Sequence, residues 1–233
     1  MLEKHKVPHQ FDRIARGYDL LSALQPGYAA HLDRSARRFP ASEPFEILDL
    51  CCGTGLSTLA LRRSHPRAGL TGLDASAGML ERAARKRELQ DVRWLQGDAM
   101  DPAAAGASGP FDAIFMAYGI RNVPDPDRCL QRLWHLLRPG GSLCLHEFSL
   151  SGSLWSRSVW QLVTLGIVIP LGTLVTGSSS IFRYLRQSVM TFDRVPQLQA
   201  RLRAAGYADV QVEPVDGWQR GIVHSFLSRR PKA

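Results

Sequence analysis

Hydrophobic positions along this chain alternate between two periods. Residues 11–24 set Phe11, Ile14, Ala15, Tyr18, Leu21 and Leu24 at helical spacing, which predicts an amphipathic helix ahead of the first strand. PFEILDLCC (44–52) is a short apolar run closed by glycines, and LSTLALRRS (56–64) then takes up a helical period: a strand, a tight turn and a helix. AGLTGLDAS (68–76) reads as a second strand and AGMLERAARKREL (77–89) as the helix after it. VRWLQGDA (92–99) is the third strand, and a loop rich in Ala, Gly and Pro (102–110) leads to FDAIFMAYG (111–119), the fourth. RCLQRLWHLLRPGG (128–141) reads as a helix ended by Pro139 and two glycines, with SLCLHEFS (142–149) as the fifth strand. Strands and helices alternating in units of about 25 residues predict an α/β fold with a parallel sheet covered on both faces.

The alternation stops at 150–192, which shows no strand and contains VWQLVTLGIVIPLGTLVT (159–176), nearly free of charge. That run has 18 residues and includes Gln161, three threonines and Pro170, short of the about 20 apolar residues a membrane span needs. It reads as an insertion. A helix (QLQARLRAAGY, 197–207) and two strands (ADVQVEPV, 208–215; IVHSFLSR, 222–229) follow, the strands close enough to pair antiparallel. One domain is expected over residues 1–233, with 1–40 as a helical lid and 150–192 as an apolar insertion on the substrate side.

With 233 residues and 45% hydrophobic content, the chain can bury the core of one large domain. The 29 Lys+Arg against 21 Asp+Glu give a formal +8, which suits an acidic partner. The excess arginines come in small scattered groups such as Arg62 and Arg63, the look of a solvated surface, so nucleic acid is not expected. Cys51, Cys52, Cys129 and Cys144 match neither a zinc spacing nor a disulfide framework; reduced core thiols and no metal are expected. The opening MLEKHKVPHQ has no apolar run with a cleavage site, so the expected location is cytoplasmic.

The turn after the first strand carries the chemistry. Gly53-Thr54-Gly55-Leu56-Ser57-Thr58 lacks the third glycine of a dinucleotide fingerprint, and no Gly-Lys-Ser/Thr follows to make a phosphate loop. Asp49, four residues before Gly53, suits a ligand with a cationic amine better than one carrying phosphates, because two anions in a low-dielectric cleft repel. Asp74 ends the second strand, where an acid accepts the hydroxyls of a ribose, and Asp98 ends the third, placed for an adenine amino group. Three acids at the carboxyl ends of successive strands point to an adenosyl group bearing an amine.

DLCCGTG, GLDAS and GDAM resemble the motifs of class I S-adenosyl-L-methionine-dependent methyltransferases. FDRIARGYD, YGIRNVPDPDRCLQRLWHLLRPGG, HEFS and IFRYLRQSV resemble the UbiE/MenG-type quinone-ring C-methyltransferases, over residues 11 to about 190. The resemblance implies a Rossmann-like, seven-stranded, mostly parallel sheet with an antiparallel last strand. It also implies S-adenosyl-L-methionine as cofactor, held by Asp49, Gly53, Gly55, Asp74 and Asp98 with Cys51, Thr54, Ala75, Met79, Ala99 and Tyr118 of the same segments. The implied reaction is methylation of a ring carbon in a ubiquinone or menaquinone precursor. An O- or N-methyltransferase of a specialised metabolite is the alternative.

Ring-carbon methylation needs an acceptor made nucleophilic by loss of a phenolic proton. Arg121, just past the fourth strand, is a candidate cation for the phenolate, and Asn122 a hydrogen-bond donor to the same oxygen. Tyr18 is implied to close over the cofactor or acceptor. His146 departs from the family, which usually has an aliphatic residue before the Glu-Phe pair; near the top of strand five it is a candidate general base, with Glu147 beside it to orient substrate. LLSALQPGYAAHL after Tyr18 also departs from the family and is expected to shape the acceptor pocket. The apolar insertion, with Arg183 and Arg186 beside it, suits a prenyl tail or peripheral contact with the inner face of a membrane. A homodimer is compatible with all of this.

Overall fold

The structure is a computed structural model that describes residues 17–40 and 45–232. Helix α1 is described over residues 17–23, so Phe11, Ile14 and Ala15 of its expected apolar stripe lie outside the described residues. Helix α2 (Tyr28–Ala36) follows, then β1 (Glu46–Leu50), α3 (Leu56–Ser64), β2 (Gly69–Asp74), α4 (Ala77–Ala84), β3 (Arg93–Gln96), β4 (Phe111–Ala117), α5 (Pro126–Leu136) and β5 (Leu137–Phe148). The insertion supplies α6 (Leu154–Val163), a π turn (Thr164–Val168), α7 (Ile169–Thr176) and α8 (Ser180–Thr191). Helix α9 (Val195–Ala204), β6 (Ala208–Pro214) and β7 (Val223–Arg229) complete the described chain.

The seven strands form one sheet in the order β3-β2-β1-β4-β5-β7-β6, parallel except for β7, which runs antiparallel to both β5 and β6. Alternation along each strand feeds two cores. Leu48, Leu50, Ile114, Met116, Leu143 and Leu145 face α5 and α9 on one side. Ile47, Ala113, Phe115 and Cys144 face α2 and α3 on the other. Asp49 lies between Leu48 and Leu50 on β1, an inner strand, fully buried. The chain reverses its winding between β1 and β4, so the carboxyl ends of β1, β2 and β4 open on the crevice where ligands of such sheets bind.

Two elements end earlier than their patterns predict. Helix α4 stops at Ala84 rather than continuing to 89, and Lys86 takes an extended backbone. Its ammonium is drawn to Asp19 Oδ2 at 2.8 Å and the Thr54 carbonyl at 2.7 Å. Helix α5 stops at Leu136, and the RPGG segment belongs to the irregular start of β5. Pro139 cannot continue a helix, and Gly140 sits at φ +81°, where its amide donates to the Arg230 carbonyl at 2.9 Å.

The insertion lies across the carboxyl end of the sheet. Its helix runs unbroken from Leu154 to Thr176, 23 residues, longer than the 18-residue apolar run and long and apolar enough to cross a membrane by length and composition. One face is docked on the domain: Ser156, Trp160 and Thr164 are buried at four-residue steps and Gly172 eight residues on, with Val168 half-buried between them. A pure α-helix drifts by about 40° over each such step, and the wider π turn takes part of that drift back. The opposite face is bare, with Leu154 and Leu174 each 83% exposed and Trp155 77%.

Candidate active site

Strand β1 leads straight into a turn of left-handed residues: Cys51 (φ 59°), Gly53 (φ 55°) and Gly55 (φ 83°). Gly55 needs both its conformation and its lack of a side chain, since a Cβ there would meet Ala83 and Leu89 at 3.1 Å. It caps α3 without any side-chain acceptor, leaving the first amides of that helix facing the crevice. Asp49 Oδ2 accepts from Ser57 Oγ (2.7 Å) and Thr58 Oγ1 (2.6 Å), whereas Oδ1 has no partner. Burial pushes its carboxyl up to about 7, with nearby Asp74 adding to the rise and the two hydroxyls opposing it.

Asp74 accepts from the Gly53 amide and from the Ser76 amide, each at 2.9 Å, so it ties the tip of β2 to the glycine turn. The Asp74 carbonyl takes the Gly97 amide at 3.0 Å, which brings Asp98 alongside. Asp98 is exposed and accepts from the Met100 amide at 2.8 Å. Ala75 is exposed at the same rim, while Met79 and Ala99 are buried beneath it. Asp49, Cys51, Gly53, Thr54, Gly55 and Asp74 therefore form one compact cluster, and Ala75 and Asp98 extend it along the sheet edge.

Tyr18 and Tyr28 close over the turn, leaving a cavity of about 30 Å³ lined also by Cys51, Cys52, Thr54 and Ser57. The closure is latched by Asp19, whose carboxylate accepts from Thr54 Oγ1 (2.5 Å) and Lys86 Nζ (2.8 Å). Neither latch residue was among the sequence candidates. Asp19 follows Tyr18 in the FDRIARGYD segment and was open to notice; Lys86 is one cation among several at a helix end and carried no signal.

Beyond β4 the surroundings are aromatic. Tyr118, at φ 57°, stacks on Tyr28 with ring centroids 5.7 Å apart and packs against Phe148 at 4.8 Å. Arg121 was expected to face the acceptor. Its guanidinium instead turns inward, 4% exposed, and pairs with the fully buried Glu147 at 3.4 Å. It also donates to Asn122 Oδ1 (3.2 Å) and Ser188 Oγ (2.5 Å) and lies 5.7 Å from the Phe148 ring centre. Burial pushes the Glu147 carboxyl upward, opposed by Arg121 and by the Phe148 and Arg121 amides. A cation satisfied in this way is a buried structural partner of Glu147, and the two charges largely cancel. Asn122 continues the network to the Tyr184 hydroxyl at 3.2 Å, tying the turn after β4 to α8.

His146 is also corrected. It is fully buried, both ring nitrogens are engaged (Ser35 Oγ at 2.9 Å, Tyr118 hydroxyl at 3.0 Å), and burial beside His31 and His224 lowers its pKa to about 3. A buried neutral imidazole with both nitrogens engaged does not face the acceptor as the general-base expectation requires.

Comparison with known proteins completes the picture. The chain matches the ubiE/COQ5 methyltransferase family over residues 1–227. It belongs to that family. It is therefore an S-adenosyl-L-methionine-dependent methyltransferase. Among relatives, it is 35% identical over 203 residues to the demethylmenaquinone methyltransferase of Thermus thermophilus, covering 85% of this chain and 91% of the other. It is 32% identical over 223 residues to the ubiquinone/menaquinone biosynthesis C-methyltransferase UbiE of Bradyrhizobium diazoefficiens, covering 91% and 86%. A methyltransferase structure from Thermotoga maritima superposes with a TM-score of 0.68 at 18% identity, covering 96% and 99%, which agrees in fold.

Proposed function

We propose that this ubiE/COQ5-family protein methylates a ring carbon of a hydroxylated quinone precursor, of the demethylmenaquinone or ubiquinone-precursor type, and that it takes the acceptor from a membrane surface. The cofactor side rests on one observation above all: Asp49 Oδ1 is a fully buried carboxylate oxygen without a donor, directly beneath a turn of left-handed residues. Such an atom is costly alone and well satisfied by an ammonium group. The residues present therefore fit S-adenosyl-L-methionine, with Asp49 for its amine, Asp74 for ribose hydroxyls and Asp98 for adenine. When bound, the cofactor supplies an electrophilic methyl on sulfonium.

The chain's own residues supply alignment and exclusion of water. Tyr18 and Tyr28 cover the reacting end, and the turn after β4 sets an aromatic wall from Tyr118 and Phe148. Holding the ring carbon in line with the methyl is the largest contribution such a site makes. The buried Arg121–Glu147 pair fixes Asn122 and, through it, the Tyr184 hydroxyl on the acceptor side.

The reading of a lipidic acceptor is supported by the insertion. The Leu154–Thr176 helix is docked along the domain by Trp160 and Thr164, and its outer face shows Leu154, Trp155, Leu162, Leu165 and Leu174. Residues 150–192 contain Arg157, Arg183 and Arg186 and no acid, so the band suits the interface of an anionic bilayer at the inner face of the membrane.

Incubating the purified chain with labelled S-adenosyl-L-methionine and a reduced short-chain demethylmenaquinone tests this reading. Label on a ring carbon supports it; label on oxygen or nitrogen, or no transfer to any quinol, overturns it. Flotation with anionic liposomes tests the membrane contact, and a concentration-dependent dimer without flotation would assign the apolar band to a second copy instead.

A further inference from the structure

Three residues far apart in the chain make a buried hydrogen-bonded chain behind the acceptor wall. Ser35 lies on the inner face of α2, 1% exposed; His146 lies on β5, fully buried; Tyr118 directly follows β4. Ser35 Oγ stands 2.9 Å from His146 Nδ1, and His146 Nε2 stands 3.0 Å from the Tyr118 hydroxyl. The two rings meet edge-on, with centroids 5.0 Å apart and planes at 86°. The main chain of the same two residues is also joined, the Tyr118 amide donating to the His146 carbonyl at 2.7 Å.

Tyr118 needs this support. It is a bulky residue at φ 57°, a conformation that persists only when its surroundings over-determine it. Its carbonyl takes a bond from Asn122 Nδ2 at 3.2 Å, and its ring touches Tyr28, Phe148 and His146. It packs against the core beneath α2 and also against the core beneath the insertion, so it stands where the lid side and the acceptor side meet.

We propose that His146 is a positioning residue: held by Ser35 on one ring nitrogen, it fixes the hydroxyl of Tyr118 with the other, and through Tyr118 it orients an oxygen-bearing ring in the acceptor pocket. A neutral imidazole has one N–H and one lone pair. In one tautomer Ser35 donates to Nδ1 and Nε2–H donates to Tyr118, leaving the phenol proton for the acceptor. In the other, Tyr118 donates to Nε2 and offers the acceptor a lone pair. The phenol can meet either a ring hydroxyl or a ring carbonyl without any net charge entering the core. This inference rests on the quinone-ring reading above for its substrate and on the Ser35–His146–Tyr118 geometry for everything else.

The test uses the full chain with Ser35→Ala, His146→Leu, His146→Gln, Tyr118→Phe and the His146→Leu/Tyr118→Phe pair. With a reduced short-chain demethylmenaquinone, His146→Leu and Tyr118→Phe should each lower kcat/KM about tenfold, the double variant no further, and His146→Gln should recover most of the loss. Affinity for S-adenosyl-L-methionine should change less than about threefold in Ser35→Ala and His146→Leu, since neither residue reaches the carboxylates of the glycine turn. Nitrogen NMR of the His146 ring should show a neutral imidazole from about pH 5 to pH 9, with the Nε2 resonance moving in Tyr118→Phe. Additive losses, full activity of Tyr118→Phe, a charged ring at neutral pH, or a displaced limb of the pH–rate profile in His146→Leu would each overturn the proposal. If wild type transfers no methyl to any quinol, the substrate reading fails by itself, and the ring resonances still decide whether the hydrogen-bonded chain exists. Should His146→Leu not fold, Ser35→Ala reports the same coupling from the other end.

Discussion

The substitution Asp49→Asn should strengthen the fold of the cofactor-free protein while weakening the cofactor's grip. Asp49 is fully buried, two hydroxyls serve Oδ2, nothing serves Oδ1, and its carboxyl is pushed up to about 7 from an ordinary 3.8. A folded value above the unfolded one means that the folded state binds the extra proton between those limits. The contribution of this group to stability is therefore greatest below about pH 4, falls as pH rises toward 7, and stays low above it. At pH 8 the ionised form costs about 4 kcal/mol, from three units at 1.36 kcal/mol each. Asparagine keeps an oxygen for Ser57 and Thr58 and removes the charge, but it leaves an amide nitrogen unpaired at about 1–3 kcal/mol. The net gain is about 1–3 kcal/mol, or a melting temperature higher by about 3–10 °C in a chain of this size. Binding moves the other way: losing a charge-assisted bond to the cofactor's ammonium should weaken affinity by about 10- to 150-fold. In the wild type, affinity should tighten by up to about tenfold per pH unit as pH rises toward 7 and then level, a dependence that Asp49→Asn should abolish. Thermal denaturation across pH 5 to 8.5 and calorimetric titration at the same pH values read both effects. A variant that melts lower at pH 8 and binds within threefold of wild type would refute the argument.

Further outcomes follow from the same geometry. Lys86→Ala removes a half-exposed ion pair from the lid latch, and cofactor dissociation measured by stopped flow should speed up about 3- to 10-fold with little change in melting temperature. Arg121→Ala strands Glu147 as a buried charge, so denaturant unfolding should show a loss of about 3–5 kcal/mol at neutral pH, with Arg121→Met/Glu147→Leu recovering most of it. Replacing both exposed residues Trp155 and Leu174 by serine should lower partitioning onto anionic liposomes by at least about tenfold while leaving cofactor affinity unchanged, as followed by flotation.

What the sequence made legible is what local chemistry dictates. The turn from Asp49 to Gly55 could be read because its glycines are required by positive φ and close approach, both written in residue type. The sheet could be read because inward positions such as Ile47 and Leu48 alternate between two cores. Partners were not legible. Arg121 stood in a loop where a cation facing substrate and a cation facing a buried acid read alike, and only the fold placed Glu147, 26 residues on, beneath it. His146 stood on a strand tip, where a base was a fair expectation; Ser35, 111 residues away, makes it a buried link instead. The end of α4 was misread for a related reason, since Lys86 leaves the helix for a carboxylate 67 residues earlier.

Those distant partners converge on one short element. Gly17 of α1 comes within a Cβ contact of Val175 in the insertion, where an added Cβ would lie 3.0 Å from the valine side chain. Tyr18 packs against Ile181 and Phe182 and also lines the cavity over the glycine turn. Asp19 is held by Thr54 and Lys86 on the cofactor side. Three consecutive residues thus touch the apolar insertion, the reacting end and the cofactor turn in that order. Because α1 cannot shift by one residue without exchanging all three contacts, it ties the insertion to the glycine turn.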